Sequence, residues 1–184
     1  MYYFCGKKTI EKHFRSVIMK EYSIFFIIIF IIALYIYSYF KYPKNISILQ
    51  TRPYEFNIDM LLEKQPIIIE NNQSNLDDLK SIFFKLNPNK YFNLSSSDIW
   101  HKNIYKYVAI QFQSNGEVLL CPPNTKMIIE NNNSIPDPND TNLLAIQAKS
   151  GEILILPLHW YYYINNNLNV KCIGIHDLVT YFLP

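Results

Sequence analysis

Between Tyr22 and Phe40 the chain carries no charged residue, and its centre reads Ile24-Phe-Phe-Ile-Ile-Ile-Phe-Ile-Ile-Ala-Leu-Tyr-Ile-Tyr37. At a helical rise of about 1.5 Å per residue, about 20 apolar residues cover a bilayer core about 30 Å thick. The run is apolar on every side, whereas a helix on the surface of a soluble domain is apolar along one stripe. Tyr35, Tyr37, Tyr39 and Tyr42 close it, and such rings suit the headgroup level. A cleaved signal peptide has a shorter apolar core followed by small residues, and bulky tyrosines stand here instead. The segment therefore reads as an uncleaved anchor whose partner is the lipid bilayer. Lys7, Lys8, Lys12, Arg15 and Lys20 precede it, while Lys41, Lys44 and Arg52 follow. That bias places the N-terminus in the cytosol and the C-terminal domain on the lumenal or external side of a single-pass protein.

The expected organisation is a basic tail over 1–21, a transmembrane helix over 22–40, a connector over 41–52 and a folded domain over 53–184. Pro43 discourages the helix from continuing. Short β-branched or alternating runs mark strands at Pro66–Glu70, Met127–Glu130, Leu143–Ala148, Ile153–Leu156, Tyr161–Ile164 and Val170–Ile175. Tyr105–Cys121 reads as a hairpin around Ser114-Asn-Gly116. One helix is expected over Leu76–Leu86, from its apolar residues at 76, 79, 82, 83 and 86. Asn75 is placed to cap it, Asp77 and Asp78 sit in its first turn, and Pro88 stops it. Asn-rich patches at 71–75, 131–133 and 165–167 read as turns. Many strands around one helix imply a mainly β sandwich or barrel.

Several functions are excluded or left open by composition. The 184 residues carry a formal net charge of +2, with no basic run in the folded part, so no nucleic-acid partner is expected. Four glycines are too few and too scattered for a phosphate-binding loop. Ser95-Ser-Ser97 near Asp98 and His101 lacks the glycine pattern of a nucleophile elbow. Cys121 and Cys172 can pair in an oxidising compartment or stay as buried thiols. Asn45, Asn72, Asn93, Asn132 and Asn139 each begin an N-x-S/T sequon, which suits a lumenal domain. Trp160 and Tyr161 form the expected wall of any aromatic pocket, set against the plainer reading of alternating strand residues.

Four blocks resemble the cupin-like, JmjC-type oxygenases that use iron(II) and 2-oxoglutarate. They are Arg52-Pro-Tyr-Glu-Phe56 with Lys64-Gln-Pro-Ile-Ile-Ile69, then His101 to Leu120-Cys-Pro-Pro123, then Gly151 to Ile164, then Val170 to Phe182. The resemblance covers 52–184. It implies a double-stranded β-helix (jelly roll) with one or two flanking helices, in addition to the N-terminal transmembrane helix. In that family two histidines and a carboxylate hold iron(II) on one face. Counted back from Pro122-Pro123, the first two positions fall on His101 and Asn103, and in the Gly151–Ile164 block the third falls on Tyr162, so one ligand of the three is retained. The positions that handle the cosubstrate fall on Asp98 and Gly116, where an acid and a glycine replace the groups that would hold a dicarboxylate. The resemblance therefore implies a membrane-anchored pseudoenzyme, a binding or structural module with an unknown protein partner and without cofactor. Two alternatives stand beside it. One is an iron(II)/2-oxoglutarate hydroxylase with an unusual ligand set, His101 with His159 or His176. The other is a membrane or envelope structural component.

Overall fold

The computed structural model describes residues 5–70, 76–92, 94, 99–130, 133–137, 142–165 and 167–182. The chain divides into two compact units, Met1–Lys41 and Tyr42–Pro184. The first is one helix, α1 (Cys5–Phe40), 36 residues long. The expected basic tail is thus helical from Cys5 onward and continuous with the apolar segment. Tyr22–Tyr39 has a mean hydropathy of 2.1, long and apolar enough to cross a membrane.

The second unit is mainly β. Its elements in order are β1 (Leu49–Thr51), α2 (Ile58–Leu62), β2 (Ile67–Ile69), α3 (Leu76–Phe83), β3 (Asn89–Phe92), β4 (His101–Lys102), β5 (Tyr107–Phe112) and β6 (Gly116–Cys121). There follow β7 (Met127–Glu130), β8 (Asn133–Pro136), β9 (Leu144–Ala148), β10 (Ile153–Pro157), β11 (Tyr161–Ile164), β12 (Val170–Ile175) and α4 (Leu178–Phe182). A six-stranded sheet runs β1-β2-β10-β5-β12-β3, a four-stranded sheet runs β4-β11-β6-β9, and β7 and β8 form a separate ribbon.

The two larger sheets enclose the main core. Val108, Ile110 and Phe112 of β5, Leu154 and Leu156 of β10 and Cys172 of β12 meet Val118, Leu120, Ile146, Tyr162 and Ile164 from the smaller sheet. Alternate residues of the same large-sheet strands, Ala109, Ile153, Ile155 and Ile173, point to the opposite face and pack under Phe56, Leu61, Leu76, Leu79 and Phe84. A sheet covered on both faces requires apolar residues at every position. This explains why Ile153–Leu156 reads as an unbroken apolar run rather than an alternating one.

Three expectations change. The domain begins at Tyr42, not at residue 53, because the presumed connector is packed into it. Gln65 donates to the Asn45 carbonyl at 2.6 Å and accepts from the Ser47 amide at 3.1 Å, and Ile46 and Ile48 pack against the main core. The 105–121 segment is not a hairpin. β5 pairs with β10 and β12, β6 pairs with β9 and β11, and the chain crosses between sheets at Ser114-Asn115. The 76–86 helix ends at Phe83, where Phe84 turns into the core and Leu86 is left in solvent. Its expected cap, Asn75, lies outside the described residues. β12 ends at Ile175, as expected, and α4 follows it. Asp177 and Thr180 cap α4 reciprocally, the Thr180 amide donating to Asp177 Oδ1 and the Asp177 amide to Thr180 Oγ1, each at 3.0 Å.

Candidate functional site

β4 contributes only His101 and Lys102 to the edge of the smaller sheet, where they pair antiparallel with Tyr162 and Tyr161 of β11. His101 and Tyr162 are therefore direct cross-strand neighbours, and their rings stack at 5.5 Å with 27° between planes. Tyr162 is 4% exposed, and burial pushes its phenol well above its ordinary pKa. Burial also holds the His101 imidazole below its ordinary value. Both groups are neutral at physiological pH.

Asn103 is the most constrained polar group of the site, at 1% exposure. Its side-chain amide donates to the carbonyls of Leu156 and Pro157 at 3.0 and 2.8 Å, while its Oδ1 accepts from the Tyr105 amide at 2.9 Å. Its main chain donates to the Trp160 carbonyl and accepts from the His159 amide, both at 2.8 Å. The residue thus ties the start of β5 to the turn between β10 and β11. Each donor of the side-chain amide has a partner.

A metal centre does not fit these residues. Asn103 spends its oxygen on a backbone amide, Tyr162 is a protonated phenol in an apolar core, and a single imidazole remains. His159 and His176 have their rings engaged in other contacts. His159 occupies the turn before β11 with φ of 66° and packs against the Tyr42 ring at 6.4 Å. His176 places Nδ1 3.1 Å from the Thr180 carbonyl and meets Tyr105 edge-on at 4.7 Å. Among the described residues no group of three His, Cys, Asp or Glu side chains converges.

The sequence resemblance assigns Asp98 and Gly116 to a cosubstrate. Asp98 lies outside the described residues. Gly116 is the first residue of β6, opposite Ala148, rather than part of a turn. In β6 the partner of Tyr162 is Leu120, so Gly116 stands four residues away, about 13 Å along the strand. A Cβ on Gly116 would meet Leu168 at 2.8 Å, so an interior side chain already fills that space. Sequence reasoning missed Tyr105, which covers Gly174 so closely that a Cβ there would run into its ring. Tyr105 also stacks on Phe92 at 5.4 Å, and together these rings fill one end of the sheet-to-sheet space. A glycine inside the apolar strand Val170–Ile175 was the available signal for such a close approach.

Trp160 and Tyr161 do not share a pocket wall. Trp160 is 1% exposed inside the main core, whereas Tyr161 is half-buried with Lys102 Nζ 5.7 Å from its ring centre. Cys121 and Cys172 lie in different sheets as buried thiols, not as a disulfide, and burial pushes the Cys172 thiol up to about 12. A cleft of about 360 Å³ opens elsewhere, between β1, β2 and β9. No family model, curated protein or solved structure matches the chain.

Proposed function

We propose that residues 42–184 form a double-stranded β-helix of the cupin-like, JmjC-type kind that has lost its metal chemistry and serves as a membrane-tethered binding or structural module. The strand order supports the fold. The eight strands β10-β5-β12-β3 and β4-β11-β6-β9 form two facing sheets, and the chain crosses between them repeatedly. On that reading β4 and β11 are the neighbouring strands that would carry metal ligands.

The observation that carries the functional reading is Asn103. A vacated ligand position would leave its polar atoms facing the interior, whereas this side chain is consumed by three hydrogen bonds that hold a turn. Function resides in the site rather than in the fold, and here the site has become a packing joint. α1 supplies the tether, with the N-terminus cytosolic on the charge bias of its flanks.

The test is calorimetric titration of residues 42–184, prepared metal-free and without oxygen, with iron(II) or manganese(II), with and without 2-oxoglutarate. No saturable metal binding is expected from a domain that circular dichroism shows to be folded. One-to-one micromolar binding that tightens with 2-oxoglutarate would restore the hydroxylase reading.

A further inference from the structure

The two ends of the large sheet differ in chemistry. At one end β5 leaves through Gln113, Ser114 and Asn115, β10 is entered through Ser150 and Gly151, and β12 is entered through Asn167 and Asn169. These polar residues bond to one another. The Ser150 amide donates to Asn115 Oδ1 at 2.7 Å, and the Asn169 amide donates to Ser114 Oγ at 3.0 Å. Such side chains suit turns that face water.

The register lines up the other end. Pro157 stands opposite Tyr107, Tyr107 opposite Ile175, and Ile175 opposite Asn89. The Tyr107 hydroxyl donates to the Leu61 carbonyl at 3.3 Å, which holds the last turn of α2 there. The Asn87 side chain donates to the His176 carbonyl at 2.9 Å, which joins the exit of α3 to the entry of α4. From these segments Leu62, Leu86, Ile104, Leu178 and Phe182 are left 73%, 95%, 45%, 76% and 71% exposed. Single exposed apolar residues are ordinary, whereas a set gathered at one end of a domain marks a contact surface.

The same end receives the chain from α1. Tyr42 packs against the His159 ring at 6.4 Å, with Lys64 Nζ 5.7 Å from the Tyr42 ring centre. Only Lys41 separates Tyr42 from Phe40, the last residue of α1. Two peptide links reach at most about 7.6 Å, so this end of the domain stays where the apolar helix ends. A bilayer that holds α1 is thus presented to these side chains at a tethered, high effective concentration. Lys44 and Lys102 are exposed at this end as well. Their long stems can lie along an apolar boundary while the ammonium stays in water.

We propose that this end of the domain is a second membrane contact, lying in the headgroup layer of the bilayer that α1 spans, with Leu62, Leu86, Ile104, Leu178 and Phe182 inserted. Apolar side chains in such a contact sink about 5–10 Å into the boundary between headgroups and acyl chains. The polar end, with Gln113 and Asn115, faces away from the lipid. The domain is then pressed against the membrane surface rather than carried on a stalk. This rests on reading α1 as a membrane span, and the experiment separates the two.

The experiment uses the full chain in phosphatidylcholine vesicles, with Cys5→Ser and one added cysteine carrying a fluorophore; Cys121 and Cys172 are buried thiols. The label sits at Ile31→Cys in α1, at Leu178→Cys, or at Gln113→Cys. Nitroxide lipids quench it, with the nitroxide either near the headgroup or at mid-chain. Quenching at Ile31 by the mid-chain nitroxide is expected. At Leu178 the headgroup-level nitroxide should quench several-fold more than at Gln113. Adding Leu62→Glu with Leu86→Glu, both at exposed positions, should bring Leu178 down to the Gln113 level and leave Ile31 unchanged. Equal quenching at Leu178 and Gln113 beside a quenched Ile31, or a Leu178 signal indifferent to the two glutamates, would overturn the proposal. An unquenched Ile31 would instead remove the span reading on which it rests.

Discussion

Replacing Asn103 by aspartate puts a carboxylate at this position while changing only an NH₂ for an oxygen. The structure makes this a damaging substitution. Two donors, to Leu156 O at 3.0 Å and Pro157 O at 2.8 Å, become lone pairs aimed at carbonyl oxygens. Each lost hydrogen bond is worth about 1 kcal/mol net, and a buried group left unpaired costs about 1–3 kcal/mol. Part of that cost is recovered if the new carboxyl takes up a proton and donates once, which gives a loss of about 2–5 kcal/mol. For a domain of this size, at about 3 °C per kcal/mol, the melting temperature falls by about 6–15 °C. The sign with pH follows from linkage. Burial against carbonyls raises the folded pKa of the introduced carboxyl above its unfolded value of about 3.9. The folded variant then binds more protons than the unfolded chain, so its deficit is smallest at about pH 4 and grows as pH rises through the raised value. Thermal melts of both proteins between pH 4 and 8 measure this. A variant as stable as wild type at pH 7 that also binds manganese(II) would refute the structural role of Asn103 and mark it as a vacated ligand.

Gly174→Ala is expected to cost about 1–3 kcal/mol, since its methyl group meets the Tyr105 ring. Chemical denaturation of Gly174→Ala, Tyr105→Ala and the double variant should show a smaller penalty for alanine once the ring is gone; purely additive losses would contradict the contact. His101, lowered by burial, makes the folded state bind fewer protons than the unfolded chain. Its contribution is complete above about pH 6.5 and is lost as pH falls from there through the folded value. His101→Phe should flatten that part of the pH–stability curve, and an unchanged slope would count against a desolvated imidazole. Asp177→Ala removes the α4 cap and the partner 3.2 Å from the half-buried Lys106, for an expected loss of about 1–3 kcal/mol. Asp177→Asn keeps the cap oxygen and should recover part of it in the same denaturation assay.

Periodicity located β2, β7, β9, β10, β11 and β12 to within about a residue or two, because each is a short run rich in apolar or β-branched residues. It could not assign partners. Ser114-Asn-Gly116 signals a change of direction, and the same turn chemistry serves a hairpin or a crossing between sheets. β4 is two residues long and has no pattern to read, while α4 depends on a side-chain cap that mimics the start of a loop. At the site, counting back from Pro122-Pro123 brought out His101 and Asn103, the Gly151–Ile164 block brought out Tyr162, and the structure does set His101 beside Tyr162. The work of Asn103 was not legible. Its acceptors lie more than fifty residues further on, and a substitution that removes a ligand looks the same in sequence as one that builds a joint.

The position of β12 governs when the domain can form during synthesis. It is the last strand in chain order, yet it lies between β5 and β3, with Ile175 opposite both Tyr107 and Asn89. Until Ile175 has left the ribosome, β3 has no neighbour in the large sheet and β5 lacks one of its two. Contacts this distant in sequence are slow to form, and apolar strands that wait unpaired are exposed to misassociation. Closure of the large sheet late in synthesis, rather than strand-by-strand addition, is the biosynthetic consequence of this topology.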